Sequence, residues 1–163
     1  CKMSIVDLKF ENGFEIDVNE IAAAIKPNTK LISVTTPHNP SGKLYSEQTI
    51  KALIQLAEKH NCRLLVDETY RDLNFKSELK PYYAELSDRV ISVSSVSKSF
   101  GAPGVRIGWI INRDKELMNN FLAAKEQITI CNSVLDEEVA CYLVANKKEI
   151  LAKNHEHINT NFN

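Results

Sequence analysis

Between residues 4 and 10 apolar and polar positions alternate, the period-2 pattern of a strand with one face buried. Glu11-Asn12-Gly13 is turn chemistry. Asp17 with Glu20 three residues on predicts a capping box opening a short helix that runs to Ile25 and stops at Pro27-Asn28. Residues 30–36 are rich in β-branched side chains and predict a strand, closed by Pro37-His38-Asn39-Pro40-Ser41-Gly42. Ser46 then caps a second helix, on which Ile50, Leu53, Ile54 and Ala57 recur at i, i+3, i+4 and i+7. Further strands are predicted at 62–66, 90–93 and 106–111. From residue 114 onward the pattern is helical, carrying Leu117, Phe121 and Ala124, then Val139, Leu143 and Ile150.

Strands that alternate with helices predict an α/β fold with a mainly parallel sheet flanked by helices. In such sheets ligands sit beyond the carboxyl ends of the strands. That rule selects the loops at 37–42, 67–70 and 94–104, which hold most of the unusual chemistry in the chain.

Composition narrows the function classes. The 163 residues suit one domain with a real core, and 20 Lys+Arg against 21 Asp+Glu leave a formal charge of −1. Nucleic acid and anionic membrane surfaces both ask for a dense positive face, so neither is expected as a partner. The apolar runs are too short to span a bilayer, and no charged-then-apolar leader opens the chain. Cys1, Cys62, Cys131 and Cys141 form no CxxC pair and no zinc spacing, and the four histidines cluster with no such ligands. His155 and His157, at i and i+2 of a helix, point apart. No metal site is expected, and reduced thiols in a cytoplasmic protein are the default.

The densest chemistry lies in Ser95-Val96-Ser97-Lys98-Ser99-Phe100-Gly101-Ala102-Pro103-Gly104-Val105-Arg106-Ile107-Gly108. Hydroxyls with a guanidinium make a phosphate clamp, and a partly desolvated lysine suits Schiff-base chemistry. The same residues alone also describe a glycine-rich surface turn with a solvated lysine. The glycines do not form GxGxxG, so no dinucleotide fingerprint is present. Likewise Asn39-Pro40 reads as an ordinary turn, Asp67 as a strand-end loop cap and Tyr70 as an amphipathic aromatic.

Taken together the segments resemble the class I/II pyridoxal-phosphate aminotransferases of fold type I. Residues 95–108 resemble that family's lysine signature, Asn39-Pro40-Ser41-Gly42 its Asn-Pro-[Ser/Thr]-Gly loop, and Asp67-Glu68-Thr69-Tyr70 its Asp-x-x-Tyr segment, in the same order. The resemblance covers essentially the whole chain, as the central-to-late part of the family's large domain. It implies pyridoxal 5'-phosphate as cofactor, bound to Lys98 as a Schiff base, with Lys98 then moving the proton at Cα. Asp67 is implied at the pyridine nitrogen, Asn39 and Tyr70 at the phenolic oxygen, and Ser95 and Arg106 at the phosphate. Ser97 is a second hydroxyl there or only packs the turn. A cis bond at Asn39-Pro40 is implied as well. The catalytic set is thus Lys98, Asp67 and Tyr70, and the substrates an amino acid and a 2-oxo acid.

The resemblance also implies parts that these residues do not supply. The family's first phosphate turn and ring-stacking aromatic precede residue 1, and its carboxylate-binding arginine lies in a small domain that follows Asn163. With a Cys at position 1, the chain is expected to be residues 1–163 of a partial large domain, inactive alone, from a parent that is a homodimer. Arg71 is the only arginine near the cofactor loops that is left to act as a substitute clamp. Two other readings stay open: another reaction on the scaffold, such as C–S β-lysis or cyclisation, and a non-catalytic remnant.

Overall fold

The computed structural model describes residues 2–74 and 81–162. Four strands form one sheet: β1 (Leu31–Thr35), β2 (Arg63–Asp67), β3 (Val90–Ser95) and β4 (Gly108–Ile111), in spatial order β1-β2-β3-β4. β1 and β3 both run parallel to β2, so the sheet is mainly parallel as expected. β4 is the exception. It starts two residues later than its pattern predicts and pairs antiparallel with β3, Ser95 facing Gly108. Its connection holds only the 3-10 turn Pro103–Val105 and no helix, the element that usually carries the chain back for a parallel return.

Helix α1 (Val18–Ala24) precedes β1, and α2 (Glu47–Lys59) crosses from β1 to β2. The Ser46 hydroxyl accepts the Thr49 N–H at 3.0 Å, which satisfies one of the free amides of the first turn. The Ile50, Leu53, Ile54 and Ala57 face is buried, and with Leu64, Val66 and Val90 it makes the main core. A smaller cluster around Val96, Phe100 and Ala140 packs beneath the loop after β3. The helical region from residue 114 is three helices: α3 (Lys115–Ile128), α4 (Val134–Ala145) and α5 (Lys147–Phe162).

Three local expectations are corrected. Residues 4–10 form no strand; their end enters the 3-10 turn Phe10–Asn12, and Ile5 and Phe10 stay exposed. Alternation makes a strand only where a sheet edge offers backbone partners, and no described strand pairs with this segment. The Asp17 carboxylate accepts from Asn19 N–H at 2.8 Å, but Glu20 does not return the bond, because its carboxylate pairs with Lys9 at 2.7 Å. On α4 the buried position is Ala140, while Val139 is exposed; Leu143 and Ile150 do pack on the second cluster.

Gly108 is required by the closeness of β3. A Cβ there would lie 2.8 Å from the Ser94 carbonyl oxygen, and that oxygen belongs to the sheet backbone and cannot swing away. Gly108→Ala should therefore cost about 1–3 kcal/mol, the usual range for overpacking. Urea unfolding of the two proteins measures it, and equal stability would show that β4 can move off β3.

Candidate active site

The carboxyl ends of β1, β2 and β3 lie on one side of the sheet, and backbone bonds hold their loops together. Thr36 N–H donates to the Asp67 carbonyl at 2.9 Å, continuing the β1–β2 ladder one residue past the end of β1. The loop after β1 has cis bonds at Thr36-Pro37 and at Asn39-Pro40; the second was expected, the first was not. Asn39 Nδ2 donates to the Tyr70 hydroxyl at 3.2 Å and so joins the first loop to the second. Pro37, Asn39, Leu44, Tyr70, Leu73 and Asn74 help line a cavity of about 410 Å³ between them.

Asp67 is the last residue of β2 and is half-buried. Its Oδ1 accepts two bonds from Thr69, from the N–H at 2.9 Å and from the hydroxyl at 2.6 Å. Ser95 ends β3, and its hydroxyl accepts the Ser97 N–H at 3.3 Å. Lys98 follows on an exposed turn. Val96 N–H donates to the Ile107 carbonyl at 3.2 Å, which brings the returning chain, and Arg106 with it, back alongside the serines. Arg106 itself is left-handed (φ 56°) and exposed, and one of its five N–H donors goes to the Pro103 carbonyl at 2.7 Å. The Ser99 hydroxyl donates to the Thr69 carbonyl at 3.1 Å, joining the third loop to the second. All seven residues selected from the sequence therefore lie on one connected set of loops. Among the described residues no group of His, Cys, Asp or Glu has metal-binding form.

The sequence reading passed over Glu68, whose side chain is almost wholly enclosed. Its Oε1 accepts the Tyr83 N–H at 3.1 Å and its Oε2 pairs with Arg71 Nη1 at 2.8 Å. Burial pushes the Glu68 carboxyl above its ordinary value, while Ser92, Arg71 and the Tyr83 N–H pull it back. The Arg71 guanidinium also lies over the Tyr82 ring, 3.8 Å from its centroid, and the Tyr82 hydroxyl accepts Trp109 Nε1–H at 3.0 Å. Burial likewise raises the Tyr82 phenol. Asp72, also buried, has Lys147 Nζ 2.9 Å from its Oδ1, an ion pair without hydrogen-bond alignment. Arg71 is thus taken up by the buried Glu68 carboxylate and the Tyr82 ring, with 12% of its side chain exposed. The one sequence signal for this was the i, i+3 spacing of Glu68 and Arg71.

A parallel sheet whose three strand-end loops carry a lysine turn, an Asp-x-x-Tyr and an Asn-Pro-Ser-Gly defines the large-domain architecture of fold type I transferases. The aminotransferase class I and II family matches residues 1–161, and the chain belongs to that family. A probable aspartate aminotransferase of Methanocaldococcus jannaschii is 31% identical over 134 residues, which are 78% of this chain and 35% of that protein. Capreomycidine synthase of Streptomyces vinaceus is 34% identical over 140 residues, 84% of this chain and 35% of its own. Among solved structures, a PLP-dependent aminotransferase from Streptococcus suis superposes with a TM-score of 0.81 at 32% identity, covering 90% of this chain and 38% of the other. A Thermus thermophilus aspartate aminotransferase gives 0.83 at 26% identity, covering 91% and 39%. The chain thus spans little more than a third of the length of these relatives.

Removing Arg71 leaves the Glu68 charge enclosed with fewer partners. Arg71→Ala should destabilise the fold by about 3–5 kcal/mol near neutral pH, as broken buried pairs do. The loss should shrink as pH falls through the raised Glu68 value, because protonation removes the unpaired charge. Denaturant unfolding across pH tests both points, and a loss that does not vary with pH would remove Glu68 as its cause.

Proposed function

We propose that this chain is the lysine-bearing part of a large domain in a pyridoxal-phosphate-dependent aminotransferase that moves an amino group between an amino acid and a 2-oxo acid. The observation that supports this most is the joining of the three motif loops by the Asn39–Tyr70 and Ser99–Thr69 hydrogen bonds. The donor set fits the cofactor: an exposed primary amine, a strand-end carboxylate, a phenol–amide pair, two hydroxyls at the end of β3, and a guanidinium with donors to spare.

When bound, pyridoxal phosphate supplies an aldehyde that condenses with amines and a ring that takes up the electrons released at the amino acid's Cα. Lys98 would hold it through Nζ and, as a free amine, would take and return the substrate's Cα proton. Asp67 would keep a proton on the ring nitrogen with its carboxylate, and Thr69, by occupying Oδ1, leaves Oδ2 open for it. The Tyr70 hydroxyl accepts from Asn39 and so keeps its own proton to donate to the phenolic oxygen. Ser95, Ser97 and Arg106 bind the phosphate.

Among the described residues Arg71 is taken up by the buried Glu68 and Arg106 is assigned to the phosphate, which supports a partial site without turnover of its own. A homodimeric, cytoplasmic parent fits the family resemblance; among the described residues no helix is long and apolar enough to cross a membrane. The similarity to a synthase as well as to transaminases keeps a different reaction on the same loops as the second reading.

In the complete protein, borohydride reduction followed by peptide mapping should place the pyridoxyl group on Lys98; a label on Lys43 or Lys125 would overturn the assignment. Asp67→Asn should lower single-turnover rates by about 10²–10⁴-fold or more while weakening cofactor binding less, since the substitution removes a positioned acid–base partner. Unchanged single-turnover rates would free Asp67 from that role.

A further inference from the structure

Beyond the residues given roles above, one hydrogen-bonded path runs from α5 through the lysine turn to Asp67. Asn154 Nδ2, on α5, donates to the Ser99 carbonyl at 2.9 Å. Ser99, 1% exposed and next to Lys98, uses the single proton of its hydroxyl on the Thr69 carbonyl at 3.1 Å. Thr69 in turn gives both its N–H and its hydroxyl proton to Asp67 Oδ1. We propose that Asn154, Ser99 and Thr69 are positioning residues, a relay that fixes the Asp67 carboxylate in relation to the Lys98 amine. The proposal rests on the reading of Lys98 and Asp67 given above.

The geometry favours a positioning role over simple packing. A half-buried aspartate on a strand end could rotate about its side-chain bonds. Two donors on one oxygen, one of them at 2.6 Å to a charged acceptor, hold it in one orientation. The main-chain carbonyl of the residue that holds Asp67 is itself held by the residue after the lysine. Movement of either loop is therefore felt by both catalytic groups. α5 ties the same two loops a second time. His155, the neighbour of Asn154, has Nε2 at 2.7 Å from the Asp72 carbonyl, and a carbonyl partner requires that Nε2 carry the proton. Successive residues of a helix point about 100° apart, so α5 addresses the loop after β3 with one side chain and the loop after β2 with the next. Gly101 makes the adjoining reversal at φ +66°, and a Cβ there would lie 3.9 Å from Asn154 Nδ2, so the helix sits close against the turn.

The test uses the complete protein loaded with pyridoxal phosphate, with Ser99→Ala, Thr69→Val, Thr69→Ser and Asn154→Ala compared to wild type. The readouts are the pH titration of the absorption band of the lysine-bound cofactor, and kcat and KM separately. Ser99→Ala and Thr69→Val should move the titration midpoint by roughly half a unit or more, because the groups around the cofactor are no longer fixed. They should lower kcat by about 10–100-fold, the scale of a small misplacement at a reacting centre, with KM little changed. Thr69→Ser keeps the donor and should titrate as wild type, which a purely structural role of the threonine methyl would not allow. Thermal unfolding of each loaded variant separates loss of fold from loss of position. If wild type carries the cofactor on Lys98 while folded Ser99→Ala and Thr69→Val both titrate as wild type does, the relay is refuted and the functional reading stands. If wild type takes up no cofactor at Lys98, the functional reading fails and the relay with it.

Discussion

A carboxylate enclosed in protein stays charged only if its partners replace the water it has lost. Glu68 has Arg71, the Tyr83 amide and Ser92 as such partners, and its main chain is held as well. Its N–H continues the sheet to the Val93 carbonyl at 2.8 Å, and its own carbonyl accepts the Ser94 hydroxyl at 3.4 Å. Its carboxylate gathers Arg71 and the Tyr83 amide, and Arg71 then covers Tyr82, which takes the Trp109 indole proton from β4. One side chain thereby fastens the loop after β2, the segment before β3 and the antiparallel edge strand. Asp67 is the residue before it and Tyr70 the second after. The buried pair therefore anchors the segment that carries Asp67 and the cavity-lining Tyr70.

Beyond that anchor the direction of the strands decides the rest. Two parallel strand pairs place three loop starts on one side of the sheet, and the antiparallel return of β4 brings Arg106 to the same side. Side chains then stitch the loops together: Asn39 to Tyr70 joins the first to the second and Ser99 to Thr69 the third to the second, while Thr69 braces Asp67 within its own loop and Asn154 ties α5 to the third. The candidate site thus stands on loops that are hydrogen-bonded to one another as well as to the sheet.

The parts of this that the sequence made legible are those written in local pattern. The buried face of α2 was readable because 3.6-residue periodicity and an N-cap serine are local properties. The site loops were readable because each carries its motif within a few residues and the strand ends dictate where such loops go. The antiparallel sense of β4 was not readable, because it depends on the connection folding back as a loop instead of crossing the sheet as a helix. Residues 4–10 misled for the related reason that alternation cannot say whether a pairing edge exists. Glu68 was hidden by its own neighbour: beside a strand-end aspartate it reads as one more loop carboxylate, and only its burial shows otherwise. Asn154 lies 55 residues from its partner Ser99, with no local signal at either end.

The central claim is that Lys98, Asp67 and the Asn39–Tyr70 pair surround one bound cofactor. A crystal structure of the complete protein grown with pyridoxal phosphate tests it most directly. The account predicts continuous density from Lys98 Nζ to the cofactor, the Asp67 carboxylate at the ring nitrogen through Oδ2, with Thr69 still on Oδ1, and Asn39 and Tyr70 at the phenolic oxygen. A cofactor joined to another lysine, or a ring nitrogen facing any group other than Asp67, would contradict it.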